Sequence, residues 1–193
     1  MDMEMERIVI RDARREDCAE IKRLIQELAD YLECHEEPEL NECDLEEDGF
    51  SSEHPYFHCF VADAPPSLAA DSDQHVLVGY AVYYYTYSTW KGKSIYLEDI
   101  YVMPEYRKHG LGSALFMKVA EKGYKTGCSR MDFLVQARSP AGEFYKNKGA
   151  IDMTDTEGWH HYRLCREEME DLSNKMNGTI TENACNGISK ELQ

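Results

Sequence analysis

Tyr96-Leu97-Glu98-Asp99-Ile100-Tyr101-Val102-Met103-Pro104-Glu105-Tyr106-Arg107-Lys108-His109-Gly110-Leu111-Gly112-Ser113 decides how this chain is read. The first part is β-prone and predicts a strand over Ser94 to Val102. Met103 to His109 reads as a loop, and Gly110 to Thr126 carries an apolar repeat at helical spacing. Two glycines at the helix start let backbone N–H groups approach an anion closely, and the helix N-terminus adds its dipole. Such a cradle suits a pyrophosphate. A Walker loop is excluded, because no Gly-Lys-Ser/Thr follows the first glycine. A Rossmann loop is excluded as well, since Leu115 stands where a third Gly or Ala would be needed. The adjacent acids Glu98 and Asp99 are the second unusual feature. Strand periodicity buries one of such a pair, where a charge is costly.

Upstream, Arg7 to Arg11 reads as a first strand, and Asp12 to Asp17 leads into a helix. That helix places Cys18, Ile21, Leu24, Ile25, Leu28 and Leu32 on one face. The acidic Glu36 to Asp48 holds a short helix around Leu40 to Leu45, ended by Gly49-Phe50. Tyr56 to Ala62 is a second strand, Asp63 to Gln74 a surface loop, His75 to Tyr87 a third strand and Lys91-Gly92-Lys93 a turn. Downstream, Arg130 to Gln136 predicts a fifth strand and Pro140 to Lys148 a short helix. Trp159 to Cys165 predicts a late strand and Glu167 to Lys175 a last helix. A meander followed by a β-α-β-α-β half predicts an α/β fold, with a central mixed, largely antiparallel sheet flanked by helices. Residues 1–175 are expected to form a single domain, and the polar residues 176–193 a disordered tail.

Composition narrows the partners. The chain has 193 residues, enough for one domain with a proper core. Its 21 basic and 37 acidic residues give a net charge of −16, a field that repels phosphate backbones and attracts small cations. Nucleic acid is therefore not an expected partner. Val76 to Tyr85, the longest apolar-aromatic run, is about half of what a membrane span needs. The opening Met-Asp-Met-Glu-Met-Glu is acidic where a signal peptide would be basic. We therefore expect a cytoplasmic protein with no membrane association. Seven scattered cysteines read as reduced and mostly buried thiols. His54 and His58 stand four apart, but Pro55 and Tyr56-Phe57 argue for a strand, so no metal site is expected.

Arg107-x-x-Gly110-x-Gly112, between a strand and a long helix, resembles the acetyl-CoA site of the Gcn5-related N-acetyltransferases. Further segments are similar to the spermidine/spermine N1-acetyltransferase family. These are Tyr96 to Asp99, Tyr106-Arg107, Phe144-Tyr145-Lys146 with Gly149-Ala150, and Glu157-Gly158-Trp159. Asp48-Gly49-Phe50, His54-Pro55, Phe57-His58-Cys59 and Tyr83-Tyr84 with Trp90 extend the likeness, which spans Ile8 to Cys165. Ser88 to Gly92 and Ile100 to Glu105 look more like the branch that acetylates thialysine, whereas Phe144 to Lys146 suits the diamine branch at least as well. The chain departs from the family pattern at Leu32, where a glutamate is usual, at Arg138, where asparagine is usual, and at His109.

The resemblance implies an enzyme that uses acetyl-CoA as co-substrate, with no metal, on a small cationic amine, as a homodimer. An alkylammonium of pKa ~10.4 must lose a proton before it can attack. Glu98 is implied as the group that takes it, and Tyr145 as the acid that protonates the departing CoA thiolate. Backbone N–H groups of Ile100, Tyr101 and Val102 are implied to hold the acetyl and pantetheine portions. Arg107, Lys108, His109, Gly110, Leu111, Gly112 and Ser113 are implied to hold the phosphates. Arg138, Ser139, Pro140, Ala141 and Lys148 complete the implied cofactor set. Around the acceptor, the aromatic faces of Tyr31 and Trp90 suit a cation. Leu32, Asp99, Asp132, Phe133, Leu134 and Glu157 complete that implied set. Because the field of the chain favours polycations, a diamine or polyamine is expected ahead of thialysine or another amino-acid side-chain amine. Retention of Glu98, Tyr145 and the glycine loop argues against a non-catalytic CoA-binding or partner-binding module.

Overall fold

The computed structural model describes residues 8–33, 38–65, 76–137 and 139–179. Most of the expected 63–74 loop, Arg138 and the end of the chain from residue 180 lie outside the described residues. The chain divides into two compact units, Met1–Val135 and Gln136–Gln193.

In the first unit, β1 (Val9–Asp12), β2 (His58–Ala64), β3 (Val76–Ser88), β4 (Gly92–Val102) and β5 (Met131–Phe133) form one sheet in the order β1-β2-β3-β4-β5. Every neighbouring pair is antiparallel except β4 and β5, which run parallel. A parallel pair needs a crossover, supplied here by the helix Leu111–Lys125 between the two strands. The expected mixed, largely antiparallel sheet is thus what forms. α1 (Cys18–Tyr31) follows a short 3-10 turn whose Asp17 accepts the Arg14 N–H at 2.6 Å. α2 (Glu42–Glu46) is opened by Asn41, whose side chain accepts from the Asp44 N–H, while the Asp44 carboxylate accepts from the Asn41 N–H. Helical winding then continues, widened to a π-turn, through Ser51, so Gly49-Phe50 does not end it as expected.

Apolar residues line both sheet faces. On one, Cys18, Ile21 and Leu24 of α1 and Leu45 of α2 pack with Cys59, Val61, Leu77, Tyr80 and Tyr101. On the other lies α3 (Leu111–Lys125), which buries Leu111, Leu115, Phe116 and Val119. There Gly123 lets the helix approach β4: a Cβ at that position would come within 2.8 Å of Ile95 Cγ2. No helix of the described residues is long and apolar enough to cross a membrane.

The second unit contains α4 (Ala141–Lys146), α5 (Met153–Glu157) and α6 (Arg166–Thr179). Several expectations are corrected here. Residues 159–165 are not a strand: among the described residues no neighbouring strand takes up their N–H and C=O groups. In addition, α5 was not foreseen; Asp152 caps its N-terminus and Gly158, in the left-handed region, ends it. The last helix extends to Thr179, past the expected boundary at Lys175. Cysteines are less buried than expected, with Cys43 and Cys165 exposed beside the buried Cys18 and Cys59.

The fold makes a paired prediction along α3. Leu115 is fully buried and Met117 is 57% exposed. Leu115→Ala should cost about 2–5 kcal/mol, whereas Met117→Ala should stay within about 0.5 kcal/mol. Urea midpoints of the two variants, with unchanged slopes, check this.

Candidate active site

The site begins with a register irregularity in β4. Leu97 pairs with Tyr83 and Asp99 pairs with Val82, so Glu98 is an extra residue in β4 opposite a continuous β3. A regular strand would send Glu98 and Asp99 to opposite faces. The bulge resets the alternation and brings both to the face that carries Tyr80, Val82 and Tyr84. This corrects the expectation that one of the two acids is buried simply by periodicity.

The two acids then meet different surroundings. Glu98 is exposed and accepts a hydrogen bond from the Tyr84 hydroxyl at 3.2 Å. Tyr84 stacks on Tyr96, with ring centroids 5.1 Å apart. Burial, then the Glu98 charge and hydrogen bond, push the Tyr84 phenol up to about 12. Asp99 lies deeper; burial, together with the Glu98 charge, pushes its carboxyl up to about 6. The Tyr80 hydroxyl opposes that rise, so it faces Asp99. Tyr80 has no accessible surface, and its hydroxyl closes no hydrogen bond in this conformation.

β5 pairs with β4 only from Ile95 to Leu97. Among the described residues, no strand lies opposite the β5 side of β4 beyond Leu97, and the backbone of Ile100, Tyr101 and Val102 is left without a ladder on that edge. Asp132 pairs with Tyr96 across the short parallel ladder, and its carboxylate accepts from Arg130 Nε at 2.8 Å. Glu98 and Asp132 both hold the Tyr96 phenol above its ordinary range, after the larger effect of burial. Phe133 is half-buried edge-on against Phe116, at 5.6 Å, and Leu134 is exposed.

After Val102 the chain turns through a 3-10 segment, Pro104–Tyr106, into the glycine loop. Gly110 caps α3 in the left-handed region, with φ 85°, and no side chain caps the helix. The first N–H groups of a helix have no acceptor within it, so those of Leu111, Gly112 and Ser113 point outward from the cradle. A Cβ at Gly112 would touch only Val102 Cγ2, at 3.8 Å, so the missing side chain keeps the outer side of the cradle open. These features fit a pyrophosphate. Lys108 and His109 stand exposed beside it.

Arg107 has a task that its place in the motif did not suggest. Its Nε donates to the Val102 carbonyl at 2.7 Å. The guanidinium lies 4.3 Å from the ring centre of Tyr31 and 5.2 Å from that of Tyr101. Tyr101 in turn donates to Glu27 at 3.2 Å, and Glu27 is paired with Arg23 of the same helix. The last turn of α1 is thereby tied to the phosphate loop. Tyr31, read as an acceptor residue, presents a ring face to Arg107, and Leu32 next to it is half-buried.

Trp90 is not brought to the acids. It lies 80% exposed in the turn joining β3 to β4. Gly92 and Glu98 are six residues apart on one strand, roughly 20 Å at ~3.3 Å per residue. Tyr145, Ser139, Pro140, Ala141, Lys148 and Glu157 belong to the second unit. There Tyr145 is half-buried on α4, and burial holds its phenol above the ordinary range. Ser139 Oγ accepts from the Ala141 N–H at 3.2 Å, next to Pro140 at the start of α4. Lys148 lies 4.6 Å from the Phe144 ring centre, and Glu157 accepts from Trp159 Nε1 at 2.7 Å. Two site features went unread in the sequence: Tyr80, and the Glu27–Tyr101–Arg107 connection. A tyrosine inside the apolar run Val76–Tyr85, needing a polar partner on the neighbouring strand, was the available signal for Tyr80.

Known proteins resemble this chain in sequence and in fold. Thialysine N-epsilon-acetyltransferase of Sus scrofa is 44% identical over 172 residues, covering 89% of this chain and 100% of the relative. Spermidine/spermine N(1)-acetyltransferase-like protein 1 of Homo sapiens is 38% identical over 88% of this chain, which spans 24% of that longer protein. Among solved structures, an integron cassette protein of V. cholerae superposes with a TM-score of 0.65 at 22% identity, covering 86% of this chain and 98% of the other. An aminoglycoside acetyltransferase from an uncultured soil metagenomic sample, in complex with sisomicin, reaches 0.63 at 14% identity, covering 83% and 98%. Residues 21–150, which include the sheet from β2 onward and the whole glycine loop, match the Acetyltransferase (GNAT) family, and the chain belongs to that family.

Proposed function

We propose that this acetyltransferase moves the acetyl group of acetyl-CoA onto the side-chain amine of a small amino acid of the thialysine type. The observation that carries the transfer chemistry is the joining of the open β4 edge to an uncapped, glycine-led helix N-terminus, with two carboxylates on the adjacent bulge. The helix N–H groups hold the phosphates, and the β4 edge from Ile100 to Val102 holds the pantetheine arm. Glu98 receives the ammonium proton. The freed nitrogen lone pair forms the new C–N bond, and the C–S bond breaks. Tyr145 returns a proton to the sulfur, a role carried by the family resemblance; its raised phenol keeps that proton available at neutral pH.

The acceptor ranking drawn from charge alone put polyamines first; the relatives favour the amino-acid amine. Thialysine acetyltransferases match along nearly their entire length at 44% and 42% identity. The local charges agree with that order. Arg130, bonded to Asp132, sets a cation at the same sheet edge as the acids, and an acceptor carrying its own carboxylate suits this mixture better than a polycation. Lys93, at the start of β4, is engaged with the Tyr85 ring at 4.3 Å and the Thr126 carbonyl.

Three measurements test these assignments. Gly112→Val should weaken acetyl-CoA binding severely by calorimetry with the fold retained, since the new side chain enters the phosphate space; unchanged affinity refutes the cradle. Tyr145→Phe should bind acetyl-CoA normally and lower kcat by roughly 100-fold or more; a loss within a factor of about three assigns the thiolate proton to another group. At one pH and salt concentration, kcat/KM for thialysine should exceed that for spermidine, spermine and diaminopropane by at least about tenfold, a difference of about 1.4 kcal/mol. The reverse order restores the polyamine reading and leaves the acetyltransferase assignment standing.

A further inference from the structure

We propose that Glu98 and Asp99 accept the amine proton as one coupled carboxylate pair, with the buried Tyr80 hydroxyl as the donor that tunes Asp99. The inference rests on the acetyltransferase reading above. Glu98 is the catalytic residue of the pair, because it is the exposed member. Asp99 and Tyr80 act through it as positioning residues.

Two independent observations point the same way. The bulge places adjacent carboxylates on one face, although regular alternation would have separated them. Beneath them, Tyr80 has no accessible surface, and its hydroxyl faces Asp99 as a donor that falls short of a well-formed hydrogen bond. A buried hydroxyl left without a partner is destabilising, and apolar surroundings alone would be better filled by phenylalanine. Asp99 is the acceptor that this buried hydroxyl serves.

The groups around Asp99 are few. Glu98 of β4 raises its pKa through charge and Tyr80 of β3 lowers it, after the dominant effect of burial. From β2, burial holds the Cys59 thiol far above its ordinary range, with a small addition from the Asp99 charge, so it stays protonated. α1 packs over the same face, but its charged Arg23 and Glu27 are committed to each other and, for Glu27, to Tyr101. With its carboxyl near 6, Asp99 holds a proton in mild acid and is ionised above neutrality. When the ammonium proton moves to Glu98, the Glu98 charge that had opposed ionisation of Asp99 is lost. Asp99, already a carboxylate, is relieved of that repulsion, and the Tyr80 hydroxyl donates to it. The proton received from nitrogen is passed on to solvent from the exposed Glu98. No oxidant or further co-reactant is required.

The test uses the full chain and two readouts. The first is a carboxyl carbon-13 NMR titration of the wild type, Glu98→Gln and Tyr80→Phe, without substrate. Asp99 should titrate near 6. It should fall by at least about half a unit in Glu98→Gln and rise by a similar amount in Tyr80→Phe. The second is the pH dependence of kcat/KM with saturating acetyl-CoA. Its acid limb should follow the pair, moving up in Tyr80→Phe and down in Asp99→Asn, with a loss of roughly tenfold or more in kcat for Asp99→Asn. Acetyl-CoA binding by each variant confirms a folded cradle. An Asp99 carboxyl in the ordinary range, or one indifferent to Glu98→Gln, overturns the pair whatever the activity. A coupled titration with an acid limb unmoved in both variants overturns its part in proton transfer. A coupled titration in a wild type that acetylates no amine overturns the enzyme reading instead, and with it the pair's catalytic role.

Discussion

The register of β4 is the constraint on which the rest of this structure depends. One extra residue at Glu98 leaves β4 in phase with β3 at both ends but shifts the alternation between them. Below the bulge, Ile95 and Leu97 face α3; above it, Tyr101 faces α1. Both helices are therefore seated by apolar residues of a single strand. The same irregularity coincides with the end of the β4–β5 ladder at Leu97. From that point β4 carries backbone groups that no strand among the described residues takes up on that side, directly before the chain enters the phosphate loop.

Polar burial near the bulge has an energetic signature opposite to that of the ion pairs elsewhere. Asp17, although burial alone would raise it, is held below its usual range by Arg11 and by the Arg14 N–H. Its contribution to stability is present above its unfolded pKa and is lost as pH falls through the folded value. Asp99 is raised, so its contribution is largest below the ordinary carboxylate pKa and is lost as pH rises through about 6. At neutral pH the fold thus carries a charged carboxylate in a poorly solvated place, a feature more readily understood at a reacting site than in a core. The phosphate loop is steadied differently. Arg107 reaches back to the Val102 carbonyl and the rings of Tyr31 and Tyr101, so the loop geometry is set from the first helix as well as from the strand.

Particular residues show how far the sequence could be read. The repeat Cys18, Ile21, Leu24 announces the helix over the first sheet face, and those three side chains are buried there. Gly110 and Gly112, after a β-prone run, announce the cradle, and Gly110 takes the left-handed conformation at the helix start. By contrast, Trp159 to Cys165 reads as a strand yet forms none. Residue preference acts along the chain, whereas a strand needs a neighbour's hydrogen bonds. Likewise, Tyr31 and Trp90 were both fit to hold a cation, but one ring meets Arg107 and the other stands in a distant turn.

What the sequence determined alone was local or periodic: the order of elements from β1 to α4, the mixed sheet, the glycine-led helix start and the presence of two adjacent acids ahead of it. These follow from backbone preferences and from the spacing of apolar residues, which act over a few positions and need no partner. What only the tertiary structure decided was which side chains meet. The bulge that turns Glu98 and Asp99 to one face exists only against β3, and Tyr80 becomes a buried donor only when β3 lies beside Asp99. Arg107 becomes a brace only because α1 ends above it. Such contacts join residues far apart in the chain, and their energies depend on burial, which is settled only by packing.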